Sequence, residues 1–138
     1  MFSGDYKLTS VGDLSQWKTG NVTDIGSMFN GDNALQSTGN ISGWNVSNVT
    51  NMDNIFNSTW ALNENISGWK NNKASEKGMF NNSAVTVNVF DFNNDGLSSY
   101  LSNRKSATSI DVDVFKTTRV TNMKGLFQNF TIWNKLLA

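Results

Sequence analysis

The sequence predicts an α/β repeat fold: a leucine-rich-repeat-like solenoid of short parallel strands and short helices, with five units and a partial sixth. Three observations carry this expectation. An apolar–Phe pair recurs as Met1-Phe2, Met28-Phe29, Ile55-Phe56, Met79-Phe80 and Leu126-Phe127, with Phe-to-Phe spacings of 27, 27, 24 and 47. An aromatic recurs as Trp17, Trp44, Trp69 and Phe115, each with an aliphatic residue three positions earlier: Leu14, Ile41, Ile66 and Val112. Leu8, Leu35 and Leu62 mark a third slot six residues past the Phe. Self-similarity at 20–50 residues marks arrays in which each unit buries its apolar face against its neighbours.

Each element follows from spacing. Val22, Ile25 and Phe29 stand at i, i+3 and i+7, as do Val49, Met52 and Phe56, and again Val120, Met123 and Phe127. That stripe predicts a two-turn helix, capped by Asn21, Ser47 or Asn48. A helix this short needs a packing partner. The partner expected is a short strand or extended turn around each aromatic, at 13–18 and 40–46. Unit boundaries fall near 1–27, 28–54, 55–78, 79–102 and 103–125, with 126–138 the start of another. The 47-residue gap is about two units long, which predicts a degenerate copy within 81–102 with Phe92, Leu97 and Tyr100 in its core. The pattern departs from regularity at 70–77 and 84–108.

Composition excludes several functions. Eleven Lys+Arg balance eleven Asp+Glu, and charged residues make up only 16%, below the roughly 25% of ordinary globular usage. Asparagine (22) and serine (16) fill the difference. With no Cys and no His, disulfides, thiol chemistry, Cys/His zinc sites and a Ser-His-Asp triad are ruled out. Net charge zero without a basic block argues against nucleic acid as a partner. No run of 18 apolar residues exists, so no membrane insertion is expected, and the first ten residues lack the apolar core of a signal peptide.

The segments LSQWKTGNVTDIGSMF, ISGWNVSNVTNMDNIF and VDVFKTTRVTNMKGLF align without gaps. Residues 41–56 match nearly position by position the BspA-type bacterial surface repeat of about 25 residues, which this chain resembles; residues 14–29 and 117–127 match well. The resemblance covers roughly 1–80 and 108–130. It implies a leucine-rich-repeat-type fold on large secreted surface proteins of lactic acid bacteria and mycoplasmas, with adhesive roles and no catalytic residue to carry over. Start and end both fall inside the repeat, which points to a piece of a longer protein.

Candidate sites each stand against a plainer reading. Asp91, Asn93 and Asp95, followed by Gly96, match the first half of a calcium loop. Ser102 holds the position of the bidentate Glu, so a site there would be weak, and the alternative is a polar turn. Eight N-x-Ser/Thr sequons, at Asn21, Asn40, Asn45, Asn48, Asn57, Asn65, Asn81 and Asn129, read as turn and cap residues. Trp17, Trp44 and Trp69 read as core. Trp60, at a slot that holds Tyr6 and Asn33 in earlier copies, and Trp133 are the candidates for exposed contact. Asp111 and Asp113 alternate with valines and read as the solvated face of a strand rather than a hydrolytic pair.

No enzyme is expected and no cofactor beyond the possible calcium. The function expected is a non-enzymatic module mediating adhesion or protein or glycan interaction at the bacterial cell surface. Its partners would be host matrix protein, mucin or glycan, or neighbouring repeats of the same protein. The alternative is a structural subunit of an extracellular or virion assembly formed by stacking.

Overall fold

The Phe of each apolar–Phe pair lies on the Phe of the next. The computed structural model, which describes residues 1–87, 90–110 and 115–131, places Phe2 against Phe29, Phe29 against Phe56 and Phe56 against Phe80. Ring centroids are 5.8, 6.1 and 6.3 Å apart, with interplanar angles of 11°, 5° and 25°. The indoles of Trp17, Trp44 and Trp69 form a second column at 6.2 Å and 6° per step. Offset stacking at such distances adds to the burial of each ring, and Phe29, Phe56 and Phe80 are completely buried. Leu35, Ile41, Ile55, Leu62, Ile66 and Met79 complete this core.

The backbone that carries the columns is neither helix nor strand. Residues 26–31, 53–58 and 77–82 are turns. Each holds two left-handed residues four apart: Ser27 and Gly31, Asn54 and Ser58, Gly78 and Asn82, with φ between 52° and 80°. Left-handed backbone cannot continue an α-helix. It leaves i→i+3 bonds such as Met28 N–H to Ile25 O (3.3 Å) and Asn30 N–H to Ser27 O (3.2 Å), and turns alternate amides outward. Those amides reach the next segment. Ile25, Ser27, Phe29 and Gly31 donate to the carbonyls of Asn51, Asp53, Ile55 and Asn57 at 2.8–3.1 Å, and Met52, Asn54, Phe56 and Ser58 donate to Ser75, Lys77, Met79 and Asn81 at 2.8–3.2 Å. Gly31 suits its place because φ +80° carries no penalty without a Cβ.

The regular pattern stops at Phe80. Beyond it come β1 (Phe90–Asn93), α1 (Asn94–Ser102) and β2 (Phe115–Arg119). The two strands pair in parallel, Phe90 with Phe115 and Asp91 with Lys116, with a register shift before the Asn93–Arg119 pair. A parallel pair needs a crossover connection, and α1 lies in it. The amides of Phe80 and Asn82, equivalent to donors that elsewhere meet backbone carbonyls, donate instead to Ser99 Oγ (3.2 Å) and Asn103 Oδ1 (2.9 Å) at the α1 end. Ring packing changes with it: Phe80 meets Phe90 and Tyr100 edge-on, at 90° and 88°.

The fold class expected from the sequence is therefore overturned. There is no leucine-rich-repeat-like solenoid of five units and a partial sixth. The described residues contain one helix followed by β2 and preceded by β1, the two strands forming a small sheet, and only isolated parallel bridges elsewhere (Ser10–Ser37, Asp24–Asn51, Asn51–Ser75 and Asn65–Thr86). The predicted two-turn helices at 22–29 and 49–56 are turns and loops, and the aromatic segments at 13–18 and 40–46 turn through i→i+3 bonds such as Trp44 N–H to Ile41 O (3.1 Å). The i, i+3, i+7 stripe arises because consecutive β-turns also return side chains to one side every three or four residues. Phe92, Leu97 and Tyr100 are buried as expected, but around a helix.

Candidate functional site

Three groups of side chains stand out. The first is a rim of exposed aromatics. Trp60 is 58% exposed and Tyr6 65% exposed, and the half-buried Asn33 holds the same slot between them. The backbone beneath Trp60 is fixed. Thr59 is buried and donates its hydroxyl to Phe56 O (2.6 Å), Leu62 N–H closes the turn on Thr59 O (3.0 Å), and Leu62 is fully buried. Asn33, with its amide nitrogen turned toward them, donates to Ser58 O (2.8 Å) and Gly31 O (2.9 Å). Lys7 Nζ lies 5.8 Å from the Tyr6 ring centroid. A rigid base under an exposed indole suits contact with a ligand, since little side-chain freedom is lost on binding.

The second group is structural. Trp44 and Trp69 are buried and their indole N–H groups donate to Leu14 O (2.9 Å) and Ile41 O (2.8 Å), one turn segment back in the fold. A buried indole needs such a partner. Trp17, expected in the core with them, has the Trp44 ring on one face and is 42% exposed. Met123 and Phe127, placed on an apolar stripe by their spacing, are also exposed.

The third is a buried ion pair. Glu76 occupies the slot that Ile25 and Met52 hold elsewhere, and it is completely buried. Its Oε2 accepts from Asn93 N–H (2.8 Å) and from Arg119 Nη1 (3.1 Å). Arg119 also donates to Ala74 O (2.6 Å) and Asp91 O (3.1 Å). The pair thus joins the turn segment at 74–76 to β1 and β2. Glu76 Oε1 has no hydrogen-bond partner among the described residues and lies against Gly96, where an added Cβ would come within 2.7 Å of it. Gly96 is what lets α1 approach the carboxylate. Burial raises the Glu76 pKa to about 7, with the Asn93 amide and Arg119 opposing and Asp91 and Asp95 assisting. Desolvation outweighs the ion pair here, as burial of a charge commonly does. Spacing alone could not find Arg119, 43 residues away, but a glutamate in an Ile/Met slot is a signal of a buried partner.

The remaining candidates are placed as follows. Asp91 lies on β1 with its carboxylate accepting the Thr118 hydroxyl (2.9 and 3.2 Å). Asn93 caps α1, its Oδ1 accepting Gly96 N–H at 2.9 Å, and Asp95 is exposed in the first helical turn. The second half of the calcium-loop pattern is therefore helix. Among the described residues no three His, Cys, Asp or Glu side chains gather to hold a metal. Sequon asparagines serve as turn residues: Asn45 Oδ1 accepts Ser47 N–H (3.1 Å), Asn40 Oδ1 accepts Ser42 N–H (3.0 Å), and Asn48 reaches Gly20 O (2.7 Å). Trp133, Asp111 and Asp113 lie outside the described residues. No helix among the described residues is long and apolar enough to cross a membrane.

No curated protein and no solved structure matches the chain. Residues 1–100 and 95–138 match the family described as "Mycoplasma protein of unknown function, DUF285", so that the matches together span the sequence, and the chain belongs to that family.

Proposed function

We propose that this DUF285 chain is a non-enzymatic module of a bacterial surface protein, of the BspA type, that mediates adhesion outside the cell by binding host matrix protein, mucin or glycan. The observation that carries this reading is the exposure of Trp60 and Tyr6 on one rim, over a backbone locked by buried Thr59 and Leu62. Trp44, Trp69, Phe29, Phe56 and Phe80 of the columns are buried, and Phe90, Phe92 and Tyr100 are buried around α1, whereas the Trp60 indole stands exposed on a fixed backbone outside both groups. The BspA-type motif at 41–56 and the family's mycoplasma association support a surface location.

The test is capture on immobilised mucin and fibronectin. Trp60→Ala is expected to weaken capture about tenfold, the scale of one lost aromatic contact. Thermal stability should stay within about 0.5 kcal/mol of the parent, as for an exposed side chain. Equal capture by both proteins would sink the assignment of this rim.

A further inference from the structure

The chain's zero net charge is the sum of two opposite halves. Residues 1–64 carry two lysines against six acids, and residues 65–138 carry nine cationic side chains against five acids. A cleft of about 330 Å³ opens on the cationic half, between the turn after Trp69 and the β1–β2 pair. Ser47, Trp69, Lys70, Asn72, Asp91 and Lys116 line it. Lys70 and Lys116 each follow the aromatic of their segment, Trp69 and Phe115. Both side chains line the one cleft, Lys116 from β2 and Lys70 from the turn after Trp69.

Among the described residues neither lysine has a carboxylate within 4.0 Å, and the ion pair there is Glu76–Arg119. Asp91, the acid of the cleft, is held by the Thr118 hydroxyl rather than by either lysine. The wall is fixed in advance. Asn71 donates to Val46 O and Val49 O at 2.7 Å each and accepts from Lys73 N–H (2.9 Å) and Ala74 N–H (2.8 Å). Ser47 donates its hydroxyl to Asn45 Oδ1 (2.7 Å), so its oxygen remains able to accept. Two lysines on the walls of one polar hollow favour an anion within it, which draws on both charges. The volume is at the small end of ligand clefts and is of the order of one sugar ring. Amide and hydroxyl walls suit ring hydroxyls.

We propose that this cleft is a subsite for the acidic group of a saccharide, a ring carboxylate or sulfate held between Lys70 and Lys116. The proposal rests on the adhesion reading in naming which class of glycan the module takes, but it concerns residues apart from the Trp60 rim. The experiment is amide-shift titration of the isotope-labelled full chain with glucuronate, glucose 6-sulfate and glucose at low salt. The two charged sugars are expected to shift the amides of residues 70–72 and 116 saturably, with glucose at least about tenfold weaker. Lys70→Gln and Lys116→Gln, both at exposed positions, should each weaken glucuronate several-fold while leaving the fold intact, and salt at ~1 M should largely abolish binding. Absence of saturable shifts overturns the proposal, as does equal binding of glucose or unchanged binding by the double variant. Triglutamate binding more tightly than glucuronate at the same amides also overturns it, in favour of an acidic peptide. Mucin capture that depends on Trp60 while glucuronate fails would sink this subsite and leave the adhesion reading standing. Glucuronate binding with Trp60-independent capture would keep this subsite and sink the rim assignment, and glucuronate binding with no capture at all would sink the adhesion reading.

Discussion

Replacing Arg119 with alanine is expected to destabilise the fold by about 3–5 kcal/mol at pH well above 7, where it leaves the Glu76 carboxylate buried without its cation, and by less at lower pH, where the carboxyl takes up a proton. It also frees the carbonyls of Ala74 and Asp91, which Arg119 holds at 2.6 and 3.1 Å. Glu76→Gln should cost less, since an amide can still accept from Asn93 N–H and from Arg119. The pH dependence has a definite sign. Glu76 has its pKa raised from 4.5 to about 7 in the folded chain, so the folded state holds a proton that the unfolded state has released. Its stabilising effect is complete below pH 4.5 and is lost as pH rises to about 7, with a slope of at most about 1.4 kcal/mol per unit. Glu76→Gln removes this slope. Arg119→Ala extends the window above pH 7, because the cation that lowers the pKa is gone. Chemical denaturation at several pH values measures all three; an Arg119→Ala protein as stable as the parent would refute the role given to the pair.

The second large effect is expected at Trp44. Its ring lies between those of Trp17 and Trp69, and its indole N–H satisfies Leu14 O. Trp44→Ala should cost about 3–5 kcal/mol for the cavity and lost contacts, with the Leu14 carbonyl left unpaired in addition. Trp60→Ala serves as the contrast, the same substitution at an exposed ring with little cost. If Trp44→Ala melts with the parent, the inner Trp column is not what holds the segments together.

Much of the core was legible in the sequence, because burial follows spacing even where secondary structure does not. Phe29, Phe56, Phe80, Leu35 and Leu62 could be placed by periodicity, and Phe92, Leu97 and Tyr100 by the length of the gap. The fold class was not legible. Apolar residues at i, i+3 and i+7 fit a helix and also fit paired turns. What separates the two is the left-handed positions, where Gly31, Gly78, Asn54 and Asn82 are types that tolerate φ above zero, while Ser27 and Ser58 give no such signal. Trp17 was misplaced because a ring in a column is buried only when both its faces are covered. At the rim, Trp60 was legible because its slot also accepts Asn33 and Tyr6. The Lys70–Lys116 cleft was not, since the two lysines are 46 positions apart in the sequence and meet only through the β1–β2 pairing.

The alternate amides at 25–31 and 52–58 all point toward the following segment, and this arrangement sets how the chain would yield under load. Tension applied to the two ends is expected to peel the segments one at a time, because each is held to the next by a short local set of amides and one step of each ring column. Separation of one segment releases 27 or 24 residues, the offsets between the stacked Phe rings, and so about 80–100 Å of extended chain. Stretching a single molecule should therefore give a series of low, similar force peaks over 1–82, followed by a larger one where Arg119 and α1 tie the turn segments to the sheet.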